Sequence, residues 1–176
     1  VGLQGDNVKY IRKPEQIAEL LEAKPQKIAL ELDSLTVNDY TRLSKVFADS
    51  EKCDASGILR RCRAVKTAYE IEKMKESGVG HDEAYKHIRE IYREGMTDME
   101  LQVEVERQLR LQGSLGICRI HGESMEIFMG NVLCGDNADA PSPYDFAMGG
   151  AGLHESLPVG CNGTVIEPGM TVMVDM

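Results

Sequence analysis

The chain has 176 residues, of which 42% are hydrophobic, and its 29 acidic against 20 basic side chains give a formal net charge of -9. That hydrophobic share is enough to bury a core and argues against whole-chain disorder. The acidic balance argues against a general binder of nucleic acid or anionic membranes. No apolar run approaches the ~20 residues of a membrane-spanning helix.

The first third of the chain alternates helical and extended patterns. Apolar residues recur at helical spacing in two stretches, and two short runs between them have the composition of strands. Such alternation predicts a small α/β layer. The predicted helices are residues 14–23 and 37–47, and the predicted strands are residues 27–32 and 52–55.

Three helices are predicted after residue 58. The first covers residues 64–77 and is expected to stop at Gly78 and Gly80, and the second covers residues 81–93. A third begins at Thr97, because a Thr followed three residues later by Glu100 forms a capping box, and it ends by Gly113.

The pattern after Gly113 is mostly extended. Apolar residues alternate around Met125 to Met129, which predicts a strand. Residues 135–152 are rich in Gly, Pro and Asp and are predicted to form a long loop, which in compact domains is usually functional or disordered. Residues 163–166 and 171–175 are predicted as antiparallel strands joined by a Pro-Gly turn. The fold class expected from these elements is α+β.

In the part of the chain that follows Gly113, two residues are candidates for a functional site. Asp175 ends an apolar strand, where a buried carboxylate would need a partner such as a metal ion, and a solvated strand end is the alternative. His154 follows a glycine-rich stretch and can hydrogen-bond a substrate, or it is a surface-loop histidine.

The five cysteines are widely spaced and form no CxxC pair. This spacing excludes a zinc knuckle and argues against a disulfide framework, so we expect a reducing, cytoplasmic environment. Each cysteine is interpreted as a small buried hydrophobe rather than a catalytic thiol.

The sequence starts at Val1 and stops at Met176, directly after the last predicted strand. Because chain termini usually leave the core, we expect a fragment of a longer protein, truncated at both ends.

Two segments resemble a known family. Residues 58–71 (ILRRCRAVKTAYEI) resemble the entry to the catalytic domain of Xaa-Pro peptidases of the aminopeptidase P and prolidase type. Residues 158–175 (PVGCNGTVIEPGMTVMVD) resemble the approach of these enzymes to their first metal ligand. The resemblance implies that residues 1–57 are the C-terminal part of a small α/β creatinase-type N-terminal domain. Residues 58–176 would then be the first half of a pita-bread metallopeptidase domain.

The same resemblance implies a chemistry. Family members hold two divalent metal ions (manganese, cobalt or zinc), and Asp175 would be the first ligand, with His154 as the active-site histidine. The substrate would be a peptide with proline at its second position, cleaved by a metal-activated water. With one metal ligand, this chain alone is expected to be inactive.

Other readings of the same fold stay open. A non-catalytic pita-bread module that binds peptides or proteins is one alternative, and metal-free, creatinase-like hydrolysis is another. The open sheet edge of a half domain also predicts a homo-oligomer.

Overall fold

The computed structural model describes residues 8–119, 126–142 and 149–176. These residues cluster into two compact units, one ending at Thr67 and the other beginning at Ala68. In the described residues, no helix is long and apolar enough to cross a membrane. The helices are α1 (Glu15–Glu19), α2 (Val37–Val46), α3 (Ser56–Ala64), α4 (Ala68–Lys86), α5 (Ile88–Ile91) and α6 (Asp98–Leu111). The strands are β1 (Lys27–Leu30), β2 (Glu51–Asp54), β3 (Ile117–Arg119), β4 (Glu126–Phe128), β5 (Asn131–Cys134) and β6 (Val172–Asp175).

The first unit is a small α/β layer, as its alternating pattern predicts. Strands β1 and β2 pair in parallel, so the chain between them must cross over, and α2 lies in that crossover. Helix α2 begins at Thr36, whose side chain accepts a hydrogen bond from the backbone N–H of Asp39. Helix α1 is shorter than predicted.

The predicted division between residues 57 and 58 lies inside α3, whereas the compact units divide after Thr67. It stays a prediction about the domains of the parent protein.

In the second unit, the helix boundaries differ from those that the sequence predicts. Gly78 and Gly80 do not stop a helix, because α4 continues through both of them. Glycine within a helix costs about 0.5–1 kcal/mol relative to alanine, but tertiary packing can outweigh that cost. A Cβ on Gly80 would lie 3.5 Å from Cβ of Gln112, so α4 runs close to the end of α6 at this point. One turn later, the fully buried Ala84 joins the core.

Helix α6 begins and ends where the sequence predicts. The Thr97 hydroxyl accepts from the backbone N–H of Glu100, and the Glu100 carboxylate accepts from the backbone N–H of Thr97 at 2.8 Å. The bond from the Thr97 backbone holds the pKa of the Glu100 carboxyl below its ordinary value. After α6, Gly113 has a φ of 100°, a left-handed conformation that favours glycine.

The pairing of the last strand differs from the prediction. Residues 163–166 form no strand, and only Val165 makes an isolated bridge, to Thr97. Strand β6 instead pairs antiparallel with β5, which the sequence analysis did not predict. Strands β3 and β4 form a separate antiparallel pair. The predicted alternation around β4 begins at Met125, which lies outside the described residues.

The core of the second unit lies between the helices and one face of the β5–β6 pair. Val132 and Val174 are register partners on this face, and Val172 packs on the same side. Strand β5 is buried along its whole length. The buried members of the core are Ala84, Leu101, Val105, Leu109, Val132, Cys134 and Ile166.

Candidate functional site

The other face of β5 borders a cavity of about 220 Å³, here called the Asn131 cavity. Its lining is mainly apolar, and the polar side chains among the lining residues are those of Asn131, Gln102 and His154. A mainly apolar cavity with a few polar groups is the usual form of a small-ligand site. The lining residues are Met99, Gln102, Phe128, Asn131, Leu153, His154, Leu157, Val159, Gly160 and Cys161.

The strand register places Asp175 on the side of the sheet that borders this cavity. Asn131 and Asp175 are directly opposite each other in the antiparallel pair. Opposite residues of such a pair project to the same face, and Asn131 lines the cavity from that face. The Asp175 side chain is exposed at the end of β6. The structure therefore puts the predicted acid and the predicted histidine on one side of the sheet.

His154 lies at the rim of the cavity in a tight turn. Its Nδ1 accepts a hydrogen bond from the backbone N–H of Ser156 at 3.1 Å, and the Ser156 hydroxyl lies 2.9 Å from the same nitrogen. Because Nδ1 is an acceptor, the neutral ring carries its proton on Nε2. His154 can thus present an N–H donor. Within the described residues, no hydrogen bond joins it to Asp175.

Asn131 is a polar residue that the sequence analysis missed. Its side chain is 1% exposed, and within the described part of the chain its Nδ2 has no hydrogen-bond partner. A buried donor left without a partner costs about 1–3 kcal/mol, so such groups are rare and call for an explanation. The only sequence signal is a lone asparagine ahead of a short apolar run, which is also typical of a turn.

A buried carboxylate holds the segment that covers this face. Asp98, at the start of α6, accepts hydrogen bonds from the backbone N–H groups of Gly163 at 2.9 Å and Asn162 at 3.2 Å. Asn137 donates to the Gly160 carbonyl at 3.1 Å and accepts from the Ala151 backbone N–H at 2.8 Å. These bonds tie both ends of residues 151–163, here called the His154 segment, to Asn137 and to Asp98 at the start of α6.

The described residues offer few ligands for a metal ion. A carboxylate oxygen such as that of Asp175 suits a hard divalent cation. However, no group of three or more His, Cys, Asp or Glu residues that could hold a metal ion occurs in ranges 8–119, 126–142 and 149–176. The described residues therefore fit one ligand position and not a complete two-metal site.

Cys161 also lines the cavity, but its environment does not suit a nucleophile. Burial, followed by the charge of Asp98, raises the pKa of the Cys161 thiol to about 11. The thiolate is the reactive form, so near neutral pH this cysteine is almost entirely in the unreactive thiol form. All five cysteines are free in the structure.

We expect Cys161 to resist alkylation by iodoacetamide until the pH approaches its pKa. A pKa of about 11 in place of the ordinary 9.0 means that Cys161 has about 100-fold less thiolate than an ordinary cysteine at mildly alkaline pH. Peptide mass spectrometry across a pH series measures this, with the exposed Cys62 as the internal control. Equal labelling of the two cysteines at mildly alkaline pH would contradict the assignment.

Sequence comparison finds relatives that match part of this chain. The Creatinase/Prolidase N-terminal domain family matches residues 4–65. The Xaa-Pro dipeptidase of Lactobacillus delbrueckii subsp. lactis is 32% identical over 115 residues, which cover 61% of this chain and 31% of that protein. The chain thus spans about a third of the length of this relative.

Solved structures share the fold. A structure titled Xaa-Pro dipeptidase from Bacillus anthracis matches 90% of this chain and 38% of its own, with a TM-score of 0.64 and 24% identity. An X-Pro aminopeptidase from Thermotoga maritima MSB8 matches 90% of this chain and 37% of its own, with a TM-score of 0.63 and 22% identity. These structures contain the N-terminal domain and the start of the pita-bread domain, which confirms the predicted fold class. In sequence and in fold, this chain is thus similar to proteins of the prolidase and aminopeptidase P type.

Proposed function

We propose that the protein to which this chain contributes is a metal-dependent exopeptidase that hydrolyses Xaa-Pro peptide bonds. The observation that carries the proposal is the β5–β6 register. It places the Asp175 carboxylate opposite Asn131, on the face that borders the cavity lined by His154. The relatives named Xaa-Pro dipeptidase support the substrate class.

Each of the two predicted residues has a role in this proposal. Asp175 would supply one carboxylate ligand from the end of strand β6. Bound divalent cations of this kind lower the pKa of a water molecule and polarise a carbonyl group. His154, with Nδ1 occupied by the Ser156 backbone, presents its Nε2–H to a peptide oxygen. The remaining ligands must come from residues other than those described, and the 176-residue chain alone is expected to lack activity.

The test is the Asp175→Ala variant of a polypeptide that contains this chain and supplies the remaining ligands. We expect its kcat/KM for alanylproline to fall by more than about 100-fold, because loss of residues that merely support a metal ligand already costs about 10–100-fold. Asp139→Ala, which removes another exposed carboxylate from the same unit, is the matched control and should keep its activity. Manganese content is measured alongside.

The outcomes separate the candidate functions. Unchanged activity in the Asp175→Ala variant would remove Asp175 from the site. Binding of alanylproline without any cleavage by the unaltered polypeptide would instead favour the non-catalytic peptide-binding module. Homo-oligomerisation and a cytoplasmic location stay predictions.

A further inference from the structure

The unpartnered amide of Asn131 is a feature that the proposed function leaves without a role. Asn131 begins β5, is 1% exposed, and has no hydrogen-bond partner for Nδ2 within the described residues. A buried amide of this kind is unfavourable in the unliganded protein unless something else satisfies it. Because Asn131 also lines the cavity, a ligand bound there would lie beside this side chain.

Gly160 leaves the space that the Asn131 amide occupies. Its φ is 94°, and a Cβ at this position would lie 2.5 Å from Oδ1 of Asn131. Any side chain at position 160 would therefore displace the amide. The Gly160 carbonyl accepts a hydrogen bond from the Asn137 side chain at 3.1 Å. The same set of hydrogen bonds therefore positions both Gly160 and the wall of the cavity.

The cavity indicates the size and character of the ligand. Its volume of about 220 Å³ lies below the ~300–1,000 Å³ of sites that hold drug-sized molecules, so it suits one amino-acid residue or a very small peptide. Its walls are largely apolar. Asn131 Nδ2 and His154 Nε2 supply donors, and donors call for an oxygen acceptor on the ligand.

We propose that Asn131 is a peptide-binding residue whose Nδ2 donates a hydrogen bond to a carbonyl or carboxylate oxygen of a peptide, with an apolar residue of that peptide in the Asn131 cavity. This inference rests on the proposed function, since it takes the ligand to be a short peptide. It assigns to Asn131 a role that is separate from metal binding by Asp175.

The first experiment uses the ¹⁵N-labelled 176-residue chain titrated with alanylproline. The side-chain amide signals of Asn131 are identified by their loss in the Asn131→Leu variant. We expect these signals to shift as the peptide binds. Binding that shifts other signals but leaves the Asn131 amide unmoved would overturn the inference, and so would the absence of any binding.

The second experiment compares affinity and stability. Asn131→Leu keeps a similar volume and removes the donor, so we expect the Kd for alanylproline to rise about tenfold, as for one lost hydrogen bond. The Tm should stay the same or rise, because no unpartnered donor remains buried. Asn38→Leu makes the same change at an exposed position of the first unit and should alter neither quantity.

These results are distinguishable from failure of the proposed function. An unchanged Kd in Asn131→Leu, or a Kd and Tm that worsen together, would count against a peptide-binding role for Asn131. Neither result affects the interpretation of the cleavage assay with Asp175→Ala, which tests the peptidase proposal independently. If Asn131→Leu fails to fold, triple-resonance assignment of a ¹³C,¹⁵N-labelled sample of the unaltered chain identifies the Asn131 amide signals, and their shift on titration still decides.

Discussion

Replacing Asp98 by alanine is expected to lower the free energy of unfolding of the second unit by about 3–5 kcal/mol, because hydrogen bonds to a charged acceptor contribute about 1.5–3 kcal/mol each. Asp98 is completely buried. Its carboxylate accepts from backbone N–H groups at the start of α6 and in the chain segment at Asn162 and Gly163, and alanine would remove the acceptor that these donors share. The donors are the backbone N–H groups of Met99, Asn162 and Gly163 and the side-chain amide of Asn137.

Chemical denaturation of Asp98→Ala measures this loss, and hydrogen exchange shows where it acts. We expect the amides of residues 160–163 to lose protection first, because these residues are bonded to Asp98 or adjacent to those that are. Asp139→Ala, an exposed carboxylate of the same unit, should change stability by no more than about 0.5 kcal/mol. A similar small change in both variants would show that Asp98 does not hold the loop.

Leu109→Ala is expected to lower the free energy of unfolding by about 2–5 kcal/mol, the range for truncating a buried leucine. Leu109 is 2% exposed and belongs to the core cluster with Val105 and Val132. The loss combines the transfer free energy of the removed methyl groups with the cost of the cavity that remains.

Leu111→Ala is the matched control for this variant. It makes the same change two residues further along α6, but Leu111 is 68% exposed. Its effect on stability should stay within about 0.5 kcal/mol, since surface substitutions are usually that small. Equal losses in the two variants would mean that α6 packs through a different face from the one described.

Local signals in the sequence located some elements well. The Thr97–Glu100 capping box predicts the start of α6, and its reciprocal hydrogen bonds involve residues only three apart. The two strands of the first unit are predicted for a similar reason, because the few residues of β1 and of β2 are of types that favour strands. Signals of this kind depend on neighbours along the chain, so tertiary packing does not need to be known.

Other features could not be predicted because distant residues decide them. Gly78 and Gly80 are residues of the type that commonly ends a helix. Helix α4 nevertheless continues, because Ala84 packs in a core formed with α6 and β5. The alternating pattern of a half-exposed strand is absent from β5, since helices cover one face and the His154 segment covers the other. A short, fully buried run of this kind resembles any other apolar run.

For the candidate site too, some features follow from the sequence and others only from the tertiary structure. The sequence by itself determined the family resemblance and the α+β class, and it predicted Asp175 and His154 as candidates, because these inferences depend on residue types in a fixed order. Only the tertiary structure decided that β6 pairs with β5, which puts Asp175 opposite a buried asparagine beside the histidine's cavity. Strand partners separated by some 40 residues are chosen by the burial of a shared core, and a linear pattern does not record that choice.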